Sequence, residues 1–408
     1  MAIIHSLLDI DFYKLTMAQV AWKYFRNIPV TYAFKNRTIS VPLGHKIAQP
    51  VLEKQFEDVR KLRFPEEEIA YLRESKFIKR GLFCEGFLQF LTNLELPPVT
   101  VKKGKDQFLI ETSGAWPVAI LWETIILGTV NELYYNFSLD REEFHLVEAQ
   151  KEGAKRLEEK ISILQAHPDI KIIEFGTRRR FSFGWQTYVL DRLLKKIPNQ
   201  IIGTSNVKLA KEFNARPIGT FAHEMDMIFS GIFHGSDEEI RASHQKVLDI
   251  WWQEYGEPLS IALTDTYGSD FFFRDFTEEQ AQNWRGLRQD SGDSIMFGEK
   301  AIAFYNRLGI DPREKLIVFS DGLDIRKIVE IAERFTGRIK VAFGWGTNLT
   351  NDLGLKPLSL IVKAIEANGY RTVKLSDNLA KAMGDKEDID RFIKIFEYSN
   401  TFSEALVY

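Results

Sequence analysis

The sequence predicts an α/β protein whose larger part is a barrel-like succession of strands and helices, preceded by a layer of mixed α/β character. Three observations carry that prediction. From about residue 142 onward, short apolar runs recur, each closed by glycine, hydroxyl or acidic residues. Most are followed by a helical stretch, and such alternation implies parallel strands joined by right-handed crossovers. The 408 residues, 45% of them hydrophobic, suffice for two domains or for one barrel carrying an extra layer. An open doubly wound sheet fits the same rhythm, because sequence does not establish closure. In either arrangement the reactive face lies where the carboxyl ends of the strands meet.

The elements follow in order. Residues 11–25 have helical composition, with Leu15, Ala18 and Trp22 spaced for one face. Residues 30–34 alternate like a strand. Residues 65–75 read as a helix with proline at its start and acids in its first turn. Residues 99–111 suit a hairpin around Lys103-Gly104-Lys105. A charged helix over roughly 142–165 leads into the first of seven candidate strands, 170–175. The others are 200–203, 216–219, 259–263, 286–288, 316–319 and 339–343, with helices at 238–254, 300–308 and 324–335. These elements divide the chain into an N-terminal domain (1–140), a barrel domain (141–355) and a C-terminal segment (356–408). That last segment ends in a charged, helix-like tail and is expected to return to the N-terminal layer.

Composition excludes several classes. A net charge of −3 gives no general attraction to nucleic acid or an anionic membrane surface. The longest apolar runs, such as 117–121, fall far short of a membrane span, and no basic stretch precedes an apolar run at the start. A soluble, cytoplasmic protein is expected. The single cysteine, Cys84, permits neither an internal disulfide nor a cysteine-rich zinc site, so no structural metal is expected. Flanked by Phe83 and Phe87, it reads as a small buried residue rather than a nucleophile.

The strand ends carry the chemistry. Phe175-Gly176-Thr177-Arg178-Arg179-Arg180 sets three guanidinium forks after a glycine turn, suited to phosphate or carboxylate. Gly203-Thr204-Ser205-Asn206 offers amides and hydroxyls to an anion, or simply caps the next helix. Gly219-Thr220-Phe221-Ala222-His223-Glu224 presents a histidine that is either a satisfied structural residue or a base, nucleophile or phosphoryl acceptor. Two acidic loops, Thr264 to Asp270 and Arg288-Gln289-Asp290-Ser291-Gly292-Asp293, suit Mg²⁺ shared with substrate oxygens, or a turn and helix cap. Ser320-Asp321-Gly322 and Phe343-Gly344-Trp345-Gly346-Thr347-Asn348 close the series; the latter leaves amides open to a phosphate and lacks the G-x-G-x-x-G spacing of a dinucleotide fold. Together these loops point to a Mg²⁺-dependent enzyme acting on a phosphorylated substrate.

At these residues the sequence resembles the nicotinate phosphoribosyltransferase family of the shorter bacterial and fungal kind, nearly end to end. The segments are Asp9-Ile-Asp-Phe-Tyr-Lys-Leu-Thr-Met17, Glu174-Phe-Gly-Thr-Arg-Arg-Arg180, Gly203-Thr-Ser-Asn206, Gly219-Thr-Phe-Ala-His223, Arg288-Gln-Asp-Ser-Gly-Asp293, Ser320-Asp-Gly322 and Gly344-Trp-Gly-Thr-Asn348. The resemblance implies a type II phosphoribosyltransferase fold, an irregular TIM-like α/β barrel beside an N-terminal α/β domain. It implies a homodimer with Asp11 and Tyr13 reaching into the partner's site, Tyr13 stacking on the pyridine ring opposite Phe175. It places Arg178, Thr220 and Arg288 around nicotinate and the phosphoribosyl pyrophosphate donor. Thr204, Ser205, Asp290, Ser291, Gly292, Asp321, Gly322, Gly344, Gly346 and Thr347 are assigned by the same likeness to the donor's ribose, phosphates and Mg²⁺. His223 matches a histidine that the family phosphorylates transiently with ATP, so ATP is implied as co-substrate. Relatives that use nicotinamide carry aspartate where this chain has Ser205; an aspartate would repel a carboxylate, so Ser205 with the arginines favours the acid. A nicotinamide-using enzyme and a non-catalytic binder of NAD precursors are the competing readings.

Overall fold

The computed structural model describes residues 2–139 and 143–400, and the chain forms two compact units. Residues 2–219 with 345–363 make the first, and residues 220–344 with 364–400 the second. Among the described residues no helix is long and apolar enough to cross a membrane.

In the first unit, strand β1 (Pro29–Asn36) buries Val30, Tyr32 and Phe34 on one face, as its alternation requires. It pairs antiparallel with β3 (Phe108–Ala115), which pairs in turn with β2 (Val99–Lys103). The β2–β3 hairpin closes through Gly104 N–H donating to Gln107 O at 2.8 Å. The helix Phe12–Tyr24 is buried from Phe12 to Ala21 on every side, so the one-faced helix read from Leu15, Ala18 and Trp22 is instead enclosed. Pro65 caps the helix Glu66–Glu74, where its missing N–H costs nothing. The charged helix runs Glu143–Ala166; Glu142 lies outside the described residues. Cys84 is half-buried, less enclosed than expected; it opens the helix Glu85–Thr92, its carbonyl accepting from Phe87 N and its N–H donating to Gln19 Oε1 at 2.8 Å.

Two short parallel strands, β4 (Ile172–Glu174) and β5 (Ile201–Thr204), also belong to this unit. The expected third strand at 216–219 forms only a single bridge, Thr204 to Pro217. That bridge is made by Thr204 N donating to Arg216 O and Ile218 N donating to Thr204 O, while Pro217 offers no N–H to a strand on its other side. Gly219 lets this segment approach the first helix, since a Cβ there would lie 2.9 Å from Tyr13 N.

The second unit holds four parallel strands in the order β6 (Ile261–Leu263), β7 (Gly286–Gln289), β8 (Leu316–Phe319) and β9 (Lys340–Trp345). Helices Ser294–Arg307 and Ile325–Phe335 follow β7 and β8, each opened by an aspartate that accepts an N–H from the first turn. The chain's later part divides differently from the expected boundaries. Ser359 exchanges bonds with Arg37 N and Thr38 Oγ1 in the first unit, at 2.8 Å each. Strand β10 (Leu360–Ala367) begins in the first unit, where it neighbours β1 in the same sheet, so this part of the C-terminal segment does return to the N-terminal layer; from Ala364 the chain belongs to the second unit, with β11 (Tyr370–Arg371) paired to β10 and the helix Lys386–Ile395. That tail helix does not return to the N-terminal layer: Phe392, Ile395 and Phe396 pack with Tyr267, Phe271 and Val373, Phe396 stacking on Tyr267 at 3.8 Å. Burial of its apolar stripe fixes its place.

Arg180, with no exposed surface, makes a two-pronged bond to Asp9 at 2.6 and 2.8 Å and reaches Gln186 at 3.2 Å. Removing one member of such a pair leaves an uncompensated buried charge. Arg180→Met is expected to cost about 3–5 kcal/mol in urea unfolding; a loss near zero would show that Asp9 finds other donors.

Candidate active site

In the first unit, three consecutive residues at the end of β5 each serve one buried acid. Thr204 Oγ1 donates to Glu174 Oε2 at 2.5 Å, Ser205 Oγ to Asp11 Oδ1 at 2.6 Å, and Asn206 Nδ2 to Asp9 Oδ1 at 2.7 Å. Asn206 also caps the helix Val207–Glu212 by accepting from Leu209 N. Thr204 and Ser205 therefore do not face an anion: both are fully buried and their hydroxyl protons are committed to carboxylates.

Asp11 and Tyr13 lie beside Arg178 and Phe175 of the same chain. Both are buried, and Asp11 bonds Ser205 and meets Arg178 Nε at 3.2 Å. The Tyr13 ring lies parallel to Phe175, centroids 6.2 Å apart and planes within 8°. Arg178, about a quarter exposed, sits 5.5 Å over the Tyr13 ring and 3.5 Å from Glu123 Oε1. Of the three expected anion-binding arginines it is the one beside the aromatic pair, since Arg180 is tied to Asp9. Glu123 also meets Lys14 at 2.5 Å and Lys363 at 3.6 Å. Burial pushes its carboxyl up, but Lys14, Lys363 and Arg178 outweigh that and hold it low. Burial raises Asp11 despite Arg178 and Ser205. Lys14, Glu123 and Lys363 were missed by the sequence reading, although Lys14 lies inside the quoted Asp9–Met17 segment.

Glu174 anchors the turn that carries Phe175 and Arg178. It accepts from Gly176 N at 2.6 Å and from Gln186 Nε2 at 3.1 Å. Phe175 N donates to Trp345 O at 2.9 Å. Gly346 is required beside it, because a Cβ there would sit 2.9 Å from Phe175 O. The following loop, with Thr347 and Asn348, is held by Lys160, which donates to Asn348 O at 2.5 Å and to Asp352 at 2.6 Å. Gly344 precedes it within β9.

In the second unit, His223 is 3% exposed and held from both sides. Nδ1 lies 3.0 Å from Thr266 Oγ1, and Nε2 lies 3.0 Å from Asp290 Oδ2 and 3.9 Å from Asp265 Oδ1. Burial and the charge of Lys374 lower its pKa to about 4, against the pull of Asp265 and Asp290, so the ring is neutral near pH 7. Asp290 accepts from Ser320 Oγ at 2.8 Å, and its carboxylate lies 3.8 Å from Arg288 Nη2. Burial works against its ionisation, but His223, Arg288 and Lys374 hold its pKa well below the usual range. Arg288 Nη1 donates to Phe221 O at 3.3 Å, and its buried Nε has no hydrogen-bond partner. Asp321 pairs with Lys381, which also donates to Asp290 O at 3.2 Å; burial raises its pKa even so. Gly322 then turns the chain toward the Asp324 cap.

The Asp290–Asp293 loop divides its labour. Asp293 caps its helix, Ser291 Oγ donates to Asp265 and accepts from Ser376 Oγ and Asp377 N, and the Gly292 carbonyl accepts from Gln289. Ser291, almost fully buried, thus presents no free hydroxyl to a substrate. Thr220 Oγ1 donates to Ile261 O at 3.3 Å. Lys374, Lys381 and Asp226 escaped the sequence reading, whereas Thr266 lies inside the quoted Thr264–Asp270 loop. The two lysines lie past the last strand, outside the strand-end rhythm. Among the described residues no group of three or more His, Cys, Asp or Glu side chains is arranged to hold a metal by itself. The sparse carboxylates Asp290 and Asp321 fit Mg²⁺ that keeps its waters and binds chiefly to substrate phosphates.

Residues 170–400 match the nicotinate phosphoribosyltransferase (NAPRTase) family, and residues 8–131 match that family's N-terminal domain. The fold is similar to nicotinate phosphoribosyltransferase from Porphyromonas gingivalis, 30% identical over 97% of this chain and 100% of that one, with a TM-score of 0.86. It is similar to the Vibrio cholerae nicotinate phosphoribosyltransferase at 33% identity, covering 98% and 94%, with the same TM-score of 0.86. A putative nicotinate phosphoribosyltransferase from Saccharomyces cerevisiae is 28% identical over 98% and 99%, again with a TM-score of 0.86.

Glu174 generates a prediction. Burial raises its pKa from 4.5 to about 7, so between those values the native state keeps a proton that the unfolded chain has released. Its contribution is fully present below pH 4.5 and is lost as pH rises through about 7, at up to roughly 1.4 kcal/mol per pH unit. The stability of Glu174→Gln is expected to fall less steeply over that window than that of the unaltered protein; parallel pH profiles would refute the assignment.

Proposed function

This chain belongs to the nicotinate phosphoribosyltransferase family, whose type II fold of an N-terminal α/β domain and an irregular α/β barrel it carries, and we propose that it makes nicotinate mononucleotide and pyrophosphate from nicotinate and phosphoribosyl pyrophosphate, driven by ATP through a phosphohistidine at His223. The observation that carries the substrate assignment is the parallel Tyr13–Phe175 pair with Arg178 beside it. Flat aromatic faces suit a pyridine ring, and a guanidinium suits its carboxylate.

In the transfer step the ring nitrogen's lone pair forms a bond to C1 of the ribose. The C1–oxygen bond breaks, and its electron pair leaves with pyrophosphate through an oxocarbenium-like state. Arg288, with an unbonded buried Nε, is assigned to the charge that develops on the donor. Thr220, Asp321, Gly322 and the loop from Gly344 to Thr347 are assigned to positioning the two substrates. Asp290 is assigned to the donor's ribose and to holding the histidine. Asp290 and Asp321 would hold Mg²⁺ brought in with the phosphates, which would supply charge neutralisation. In the coupling step a neutral imidazole is the competent nucleophile, which the lowered pKa of His223 favours. The added phosphoryl charge then reorganises the cationic neighbours Arg288, Lys374 and Lys381, and hydrolysis resets the enzyme. The reading includes a homodimer in the cytoplasm, with Asp11 and Tyr13 reaching into the partner's site.

The test is pyrophosphate release from phosphoribosyl pyrophosphate and Mg²⁺, with nicotinate or nicotinamide, with and without ATP. Release with nicotinate, enhanced by ATP, is expected. Preference for nicotinamide would overturn the substrate, and no release with either would revive a binding protein. His223→Ala should abolish the ATP enhancement with the fold intact. Arg288→Ala should lower transfer by about a hundredfold or more.

A further inference from the structure

The turn that carries Arg178 and the loop from Trp345 to Asp352 are bound to each other, and both lie in the first unit. Two backbone bonds join them, Phe175 N to Trp345 O and Phe181 N to Thr350 O, each at 2.9 Å. Gly176 permits the close approach, because a Cβ there would run into Thr350 Oγ1. The third link is a side chain. Asn351, 2% exposed, donates from Nδ2 to Arg179 O at 2.8 Å. A backbone carbonyl only accepts, so the amide nitrogen must be the atom that faces it.

Asn351 is tied equally to the part of the loop assigned to the donor. Its N–H donates to Thr347 O at 2.8 Å, and Thr350 N donates to Gly346 O at 3.1 Å. One turn of backbone therefore separates Thr347 from the side chain that grips Arg179. Within the arginine turn, Arg179 N donates to Gly176 O at 2.7 Å, which closes the backbone around Arg178. Arg179 O has a second donor, Asn131 Nδ2 at 3.0 Å, from the helix Trp122–Leu139. Asn131 also donates to Arg180 O at 2.7 Å. The same carbonyl is thus held once from a long helix and once from the loop, and only the second hold can transmit what happens at Thr347.

Resting on the substrate reading above, we infer that Asn351 is a positioning residue that couples the two substrates. A phosphate of the donor that orders the 346–351 loop also fixes Arg178 for the acid, and the acid in turn favours the ordered loop. Such coupling is reciprocal, so each ligand gains the same factor from the other. A single hydrogen bond of this kind accounts for about a fivefold change in an equilibrium. The coupling acts on binding alone and involves no chemical step. Ribose 5-phosphate, which lacks the pyrophosphate leaving group, can therefore stand in for the donor.

Calorimetric titration of nicotinate into the whole protein, with and without saturating ribose 5-phosphate, tests the coupling. In the unaltered protein the sugar phosphate should tighten nicotinate about tenfold. Asn351→Ala should reduce that factor to about twofold. Asn131→Ala should weaken nicotinate alike in both titrations and keep the factor, which separates coupling from mere support of the turn. Hydrogen exchange in the unaltered protein gives a reading that needs no substitution: ribose 5-phosphate alone should slow the Phe181 amide, whose bond crosses to Thr350. No tightening in the unaltered protein, an unchanged factor in Asn351→Ala, an equal loss of the factor in Asn131→Ala, or an indifferent Phe181 amide would overturn the inference. Failure of nicotinate to bind under either condition would instead sink the substrate reading, and the Phe181 amide would then decide the link between loop and turn by itself.

Discussion

Carboxylates withdrawn from water organise this protein, because each must be met by donors or become neutral. In the first unit Asp9, Asp11, Glu123 and Glu174 are all buried. Their partners come from the end of β5, from the arginines after β4, and from Lys14 and Lys363. The glycine turn, the aromatic pair and Arg178 keep their places because acids behind them hold the backbone and the guanidinium. In the second unit Asp226, Asp265, Asp290 and Asp377 play the same part through Thr266, Ser291, His223 and Ser269.

The Thr204–Ser205–Asn206 run meets one acid per residue. Matching is incomplete in both clusters: Asp11 Oδ2 in the first, and Asp265 Oδ1 and Arg288 Nε in the second, have no hydrogen-bond partner. Buried groups left short of partners are costly, and they are tolerated where a ligand completes them.

Much of the fold was legible because hydrophobic period and end signals are local. Pro65, Asp293 and Asp324 announce their helices, and six of the seven candidate strands form with ends shifted by a few residues. The seventh failed at Pro217, whose missing N–H weighs more than the apolar run around it. The strand-end motifs marked the right loops but not the direction of each side chain. Thr204, Ser205 and Ser291 looked like anion donors because a hydroxyl's partner is set by tertiary contact, and the acids that claim them lie up to 194 residues away. The same limit hid Lys374 and Lys381. Whether Asp11 and Tyr13 serve their own chain or a partner depends on how the first helix packs, which no local pattern records.

The choice between acid and amide can now be argued from charge. Around Arg178 stand three cations, Lys14, Arg178 and Lys363, and two carboxylates, Asp11 and Glu123, so 3 − 2 leaves an excess of one positive charge. The raised pKa of Asp11 means that any proton it takes enlarges that excess. On the proposed reading, a pyridine carboxylate placed beside Arg178 would neutralise the surplus, whereas a carboxamide would leave it in place. Ser205 acts indirectly here: it hands its proton to Asp11 and adds no charge of its own. An aspartate at 205 would set a second carboxylate against Asp11 and bring the sum to zero, removing the attraction for an acid. On the proposed reading, selectivity would lie in the balance of the whole cluster, with Ser205 as the position where one substitution would tip it.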